Sequence, residues 1–314
     1  MNCKICGNAG PGKNHSAREM MLGLRDEFTY FECAGCGCLQ LIDVPQDMAR
    51  YYPENYYSYA KGQSLGAFVR GQRAAYARNG LNPLGALMSY LYGPDRALES
   101  IARLSLNKDA SILDVGCGSG GLLLNLKRAG YTNLTGTDPF LPADMETNGI
   151  RLLKGDVFEV EGEFDVVMLH HAFEHMSEPE RVLKHLNRIL RPGGVVILRT
   201  PVSDGDAWKE YGVNWHQLDA PRHLMVHTVR SMNILADAAG LTISEIVYDS
   251  TLLQFIVSEE YLKGISQADS RSYTHNPFRS IFSWREIRSF RERARQLNET
   301  KRGDSACFYL RKVQ

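Results

Sequence analysis

The sequence predicts an α/β fold: a doubly wound, mostly parallel sheet of seven strands, preceded by a small cysteine-rich module and carrying helical additions. Three observations carry that expectation. From residue 109 onward short apolar runs alternate with amphipathic ones, the pattern of strand–helix–strand units. A glycine-rich turn, Gly116-Cys-Gly-Ser-Gly120, separates the first such strand from the first such helix. Five of the seven cysteines fall within the first forty residues.

Residues 1–44 hold Cys3, Cys6, Cys33, Cys36 and Cys38 together with a β-prone run, Phe28-Thr-Tyr-Phe31. So short a segment has too few core residues to fold unaided. Residues 45–108 are expected to be an aromatic and helical linker and a lid over an acceptor site. They begin with Tyr51-Tyr-Pro-Glu-Asn-Tyr-Tyr-Ser-Tyr59, and Gly80, Pro83, Gly93 and Pro94 punctuate the helical part. Residues 109–314 form the main domain. Its strands are expected at Ser111–Val115, Leu134–Thr137, Ile150–Lys154, Phe164–Leu169, Val195–Arg199, Leu241–Tyr248 and Ser305–Val313. Helices are expected at Gly121–Ala129, at 179–190 up to Pro192-Gly-Gly194, and at 229–239 up to Gly240. A helical insertion fills about 250–304, because a plain connection would be far shorter.

Hydrophobic residues make up 44% of the 314 and charged residues 23%, the balance of an ordinary globular protein. Lys+Arg and Asp+Glu both number 36. A zero net charge argues against a chain whose main work is coating nucleic acid, which normally leaves a basic surplus. No run approaches the roughly 18 apolar residues of a membrane span. The opening MNCKICGNAG lacks the layout of a signal peptide. A cytoplasmic protein without a membrane partner is the expectation.

Glycine after a buried strand lets the backbone turn sharply and approach a ligand, at a dinucleotide site or in a mere tight turn. Three aspartates sharpen the choice. Asp114 sits inside the end of the first strand. Asp138 ends the second, where a carboxylate can accept from both ribose hydroxyls. Asp156 follows the third, where it can accept from an exocyclic amine.

With Asp114-Val-Gly-Cys-Gly-Ser-Gly120, Asp138, Gly155-Asp156, Phe164-Asp-Val-Val167, Glu174-His175 and Leu190-Arg-Pro-Gly-Gly194, the chain resembles the class I S-adenosylmethionine-dependent methyltransferases. The resemblance implies a Rossmann-like core ending in an antiparallel seventh strand. It implies that Gly116 and Gly118 pack against the methionine part of the cofactor. Asp138 would hold the ribose and Asp156 would meet the adenine amine. Asp114, Val157 and His170 complete the implied cofactor contacts.

Cys3-x-x-Cys6 and Cys33-x-x-Cys36 are two knuckles with thiolates for one tetrahedral ion. Zinc is the expected metal, and iron fits the same ligands. Cys38 and His15 are possible substitutes. Residues 1–60 carry five Lys/Arg (Lys4, Lys13, Arg18, Arg25, Arg50) against seven acids (Glu19, Asp26, Glu27, Glu32, Asp43, Asp47, Glu54), a poor match for a phosphate backbone. This zinc ribbon followed by Tyr51-Tyr-Pro-x-x-Tyr-Tyr57 resembles the sugar methyltransferases of polysaccharide and antibiotic-sugar pathways. That resemblance implies a nucleotide-linked sugar as acceptor, and the acidic balance of residues 1–60 leads to the expectation of no nucleic-acid partner.

Two clusters can accept the proton released on methyl transfer. His170-His171-Ala-Phe-Glu174-His175 follows the fourth strand, and Trp215-His-Gln-Leu-Asp-Ala-Pro-Arg-His223 follows the fifth. His223 is the first candidate for general base, with Asp219 to orient it and Arg222 to hold a phosphate. His171 is its rival. Two competing functions stay open: an RNA methyltransferase that docks through its ribbon, and a cofactor-binding protein without catalysis.

Overall fold

The computed structural model describes residues 2–52, 72, 82–92 and 96–313. Most of the aromatic stretch expected to form a lid, residues 53–59, lies outside them. In chain order the strands are β1 (Lys13–Arg18), β2 (Glu27–Glu32), β3 (Leu39–Leu41), β4 (Ser111–Val115), β5 (Asn133–Thr137), β6 (Met145–Thr147), β7 (Ile150–Leu153), β8 (Phe164–His170), β9 (Leu190–Pro201), β10 (Met225–Val226), β11 (Leu241–Tyr248) and β12 (Ser305–Lys312). The α-helices are α1 (Pro83–Tyr92), α2 (Arg96–Ala102), α3 (Gly121–Arg128), α4 (Pro179–Ile189), α5 (Asp206–Tyr211), α6 (Val229–Ala238), α7 (Leu253–Leu262) and α8 (Trp284–Glu299). None is long and apolar enough to cross a membrane.

The larger sheet has the order β11-β12-β9-β8-β4-β5-β7-β6. It therefore holds eight strands where seven were expected. The extra one, β6, is a three-residue edge strand antiparallel to β7, exposed throughout and so without an apolar signal. The fifth strand of the sequence pattern also starts earlier than expected. β9 begins at Leu190 and runs through Pro192-Gly-Gly194, where exposed Pro192 and Gly193 tolerate a proline and a positive φ of 78°, and Gly194 is already buried.

Two compact units partition the chain, and both are discontinuous in sequence. They cut across the three segments read from the sequence. One unit holds Pro53–His170, His185–Leu198 and Leu310–Gln314. Within it β4 pairs in parallel with β5 and β8, and β5 with β7. Val115 is opposite Thr137 and Leu169, and Thr137 is opposite Leu153. This register brings the residues that follow all four strands to one sheet edge, where ligands of such sheets bind. The close fit of loop and sheet needs Gly136, since a Cβ there would come within 2.7 Å of Cys117 Sγ and Leu123 Cδ1.

The other unit holds Met1–Tyr52, His171–Lys184 and Arg199–Tyr309. Its sheet has the order β1-β2-β3-β10. The hairpin β1–β2 spans the stretch between the two cysteine pairs, and Val226 of β10 pairs with Leu39 of β3. One core joins Tyr30, Leu39 and Leu41 to Trp208, Trp215 and Phe255, with Leu297 of α8 closing it. The helical insertion thus has a structural part: α7 and α8 supply the apolar faces that the short N-terminal module lacks.

Candidate functional site

At the end of β4 the chain turns through three left-handed glycines, Gly116, Gly118 and Gly120, with φ of 74°, 53° and 78°. Residues with a Cβ rarely adopt that conformation. Gly116 and Cys117 both donate their N–H to the Thr137 carbonyl, at 2.9 and 3.2 Å. Asp138 Oδ2 accepts from Gly118 N and Oδ1 from Phe140 N, each at 2.9 Å, which leaves lone pairs on both oxygens for a ligand. Asp156 is exposed; its Oδ1 caps the next turn by accepting from Phe158 N at 3.0 Å. Val157 beside it is buried, and His170 ends β8 half-buried.

Asp114 and Asp138 are both buried, and among the described residues neither has a cationic partner. Burial, with a smaller contribution from the Asp138 carboxylate, pushes Asp114 up to about 8. Paired buried acids beside a glycine turn suit a ligand with a ribose diol and a positive charge, and S-adenosylmethionine has both.

The four knuckle cysteines converge. Cys3 Sγ lies 3.6 Å from Cys36 Sγ, and Cys6 Sγ lies 3.5 Å from Cys33 Sγ. Donors point at the sulfurs: Ile5 N and Gln40 Nε2 at Cys3, Gly35 N and Asn8 Nδ2 at Cys33. Burial opposes ionisation of Cys33, but the Cys36 and Gly35 amides outweigh it and hold its thiol down at about 6. The two substitutes are engaged elsewhere. Cys38 donates to the Leu39 carbonyl, and His15 Nε2 meets Glu32 Oε2 at 2.7 Å. All seven cysteines are free thiols.

The histidine clusters occupy different settings. His171 follows β8 with φ of 54°, a left-handed conformation that a side chain makes costly, and its N–H is tied to the Arg199 carbonyl at 2.9 Å. The imidazole is 41% exposed, and its Nδ1 lies 3.4 Å from Oε1 of fully buried Glu174. Glu174 sits in a single 3-10 turn, Phe173–His175. Burial disfavours its charge, but the contact with His171 and the neighbouring His223 and His175 outweigh that and hold it at about 2.

His223, by contrast, is buried. Its Nδ1–H donates to the Gln217 carbonyl at 2.8 Å, and burial pushes its pKa down to about 4. Arg222 does not face a ligand. It is fully buried, with Nε and Nη2 on the two Asp219 oxygens at 2.9 and 2.6 Å and Nη2 also on Glu19 Oε1 at 3.0 Å. The expected phosphate contact is thereby corrected: a guanidinium so deep must be neutralised within the protein. Asp219 serves Arg222 and lies 3.8 Å from His223 Nε2, too far to orient that ring. Trp215 is a core residue whose indole donates to Asp304 Oδ2 at 2.9 Å. Sequence reasoning missed Glu19 and Thr200, because neither stands near its partner in the chain. Thr200 Oγ1 donates to Glu174 Oε2 at 3.1 Å. Tyr52, whose hydroxyl lies 3.1 Å from His175 Nδ1, was visible only as part of the aromatic run.

A family profile described as a methyltransferase domain matches residues 91–246. The tRNA U34 carboxymethyltransferase of Cellvibrio japonicus is 36% identical over 124 residues, 35% of this chain and 38% of that protein. The ubiquinone biosynthesis O-methyltransferase of Escherichia coli is 30% identical over 109 residues, 31% of this chain and 45% of that protein. The chain thus spans less than half the length of these curated relatives. A crystal structure of an S-adenosylmethionine-dependent methyltransferase from Mesorhizobium loti superposes with a TM-score of 0.44 at 16% identity, covering 69% of this chain and 98% of that one. With the glycine turn and its strand-end aspartates in the family's order, residues 91–246 are a class I S-adenosylmethionine-dependent methyltransferase domain.

Proposed function

We propose that the whole chain transfers a methyl group from S-adenosylmethionine to a small-molecule acceptor, a nucleotide-linked sugar by class, with His171 as general base. When bound, the cofactor supplies an electrophilic methyl carbon on a sulfonium. Gly116, Gly118, Asp138, Asp156, Val157 and His170 would hold it, with Asp114 beneath the glycine turn. One observation carries the choice of base: an exposed imidazole directly after β8 is backed by the buried, ionised carboxylate of Glu174. Such a carboxylate stabilises the imidazolium that forms when His171 takes the acceptor's proton. His223, buried and resistant to protonation, is the weaker candidate.

Cys3, Cys6, Cys33 and Cys36 would hold one structural zinc ion. Their sulfur separations are near the ~3.8 Å edge of a tetrahedron with Zn–S bonds of about 2.3 Å. Elemental analysis should find stoichiometric zinc, and a metal-free folded protein would reject the site.

The acidic surplus of residues 1–60 favours a small acceptor over RNA. The relative named for a tRNA substrate supports RNA as a second reading. Incubating the protein and cofactor with a panel of nucleotide-sugars, and separately with bulk tRNA, distinguishes the two by mass spectrometry. Methyl uptake by a nucleotide-sugar supports the proposal, and uptake by tRNA alone rejects it.

A further inference from the structure

Glu174, His175 and His223 come from the turn after β8 and the loop before β10. One donor atom of each lies within 4.8 Å of the other two. Both rings are anchored through Nδ1, and Nε2 of His223 faces the carboxylate. The Nδ1–H of His175 donates to the Arg222 carbonyl, and that of His223 to the Gln217 carbonyl, both at 2.8 Å. A carbonyl can only accept, so Nε2 of His223, which burial keeps unprotonated, carries a lone pair. Nε2 of His223 has two acceptors before it, Glu174 Oε1 at 3.9 Å and Asp219 Oδ2 at 3.8 Å.

Glu174 is 0% exposed. Its Oε2 is satisfied by Thr200, while Oε1 has no hydrogen-bond donor among the described residues. His171 Nδ1 approaches that oxygen at 3.4 Å without forming one. A buried, ionised carboxylate oxygen without a donor is costly unless a cation stands beside it.

We propose that Glu174, His175 and His223 bind a divalent first-row transition ion, at a site separate from the four cysteines. Two imidazoles and a carboxylate suit zinc, iron, manganese or cobalt rather than the all-oxygen preference of magnesium or calcium. The backbone carbonyls behind both rings are the outer-shell partners that fix the tautomer of metal-bound histidines. Three protein ligands leave a position open for water or an acceptor oxygen. His171, half exposed beside the set, remains the proton acceptor. The site goes beyond the methyl-transfer proposal and is tested without turnover, so failure of one leaves the other standing.

The 314-residue protein is loaded with Zn2+, dialysed and analysed for metal, alongside the Glu174→Gln and His223→Gln variants. Each variant should hold one ion per chain fewer than the wild type. Equal metal content in all three overturns the site. A Co2+ titration of the wild-type protein needs no variant to fold. It should produce visible cobalt bands that lack thiolate-to-metal charge transfer, in addition to those of the cysteine site. Cobalt bound with thiolate charge transfer alone overturns the proposal.

Discussion

Asp114 and Glu174 are both buried carboxyls near the ends of strands of the pattern, yet one is neutral and the other negative at neutral pH. Asp114 has a second carboxylate for company and is pushed up to about 8, so it keeps its proton. Glu174 has imidazoles for company and is held at about 2, so it has lost it. Burial is the first influence on each and acts in the same direction on both. The neighbours decide the outcome. One acid is poised to lose a proton when a positive ligand arrives, and the other is a fixed negative charge behind an exposed base.

The largest effect should come from the fixed charge's partner. His171→Ala is expected to lower turnover by about 10²- to 10⁴-fold with cofactor affinity kept, as measured by steady-state kinetics and calorimetry. Near-normal turnover in that variant, with a loss in His223→Ala, would return the base to the buried ring and break the contrast. Next is Asp138→Ala, which removes a pair of charge-assisted contacts to the ribose. Cofactor binding should weaken by about 2–3 kcal/mol, roughly 30- to 150-fold, by calorimetry. Unchanged affinity would refute its assignment.

The smallest effect is on stability, and it has opposite signs for the two acids. Between its ordinary 3.8 and about 8, Asp114 holds a proton that the unfolded chain has released, so stability falls as pH rises through that window. Glu174 contributes stability above its ordinary 4.5, and this is lost as pH falls toward about 2. Thermal melts of Asp114→Asn should lose the decline between pH 4 and 8, a change of roughly a few degrees. Glu174→Gln should flatten the acid limb instead. Indistinguishable pH profiles for the two variants would show that the neighbours do not set these charges.

Much of the first region was legible beforehand because its causes are local. β4, β5, β7 and β8 fall within a residue or so of their expected bounds, since buried parallel strands read as apolar runs. Gly116, Gly118 and Gly120 take the left-handed turn that their spacing implies. Around Glu174 the residue types were visible but their partners were not. Arg222 looked free to meet a phosphate because one of its two counter-charges, Glu19, stands 203 residues earlier, while the other, Asp219, was assigned to His223. The density of polar residues in 215–223 signalled a site, whereas most of that polarity neutralises Arg222 or fills a core. β6 left no trace because no face of it is buried.

The pairing of β3 with β10 has a consequence for how the chain is made. Tyr30 donates its hydroxyl to the His223 carbonyl across 193 residues, and Thr228 donates to the Cys36 carbonyl across 192. At synthesis rates of about 5–20 residues per second, the N-terminal hairpin leaves the ribosome about 10–40 s before these partners exist. During that interval Tyr30, Leu39 and Leu41 have no Trp215 or Val226 to cover them. An ion captured early by the two knuckles would hold the hairpin in register while it waits. Zinc starvation would then act first on newly made chains, leaving chains already folded comparatively untouched.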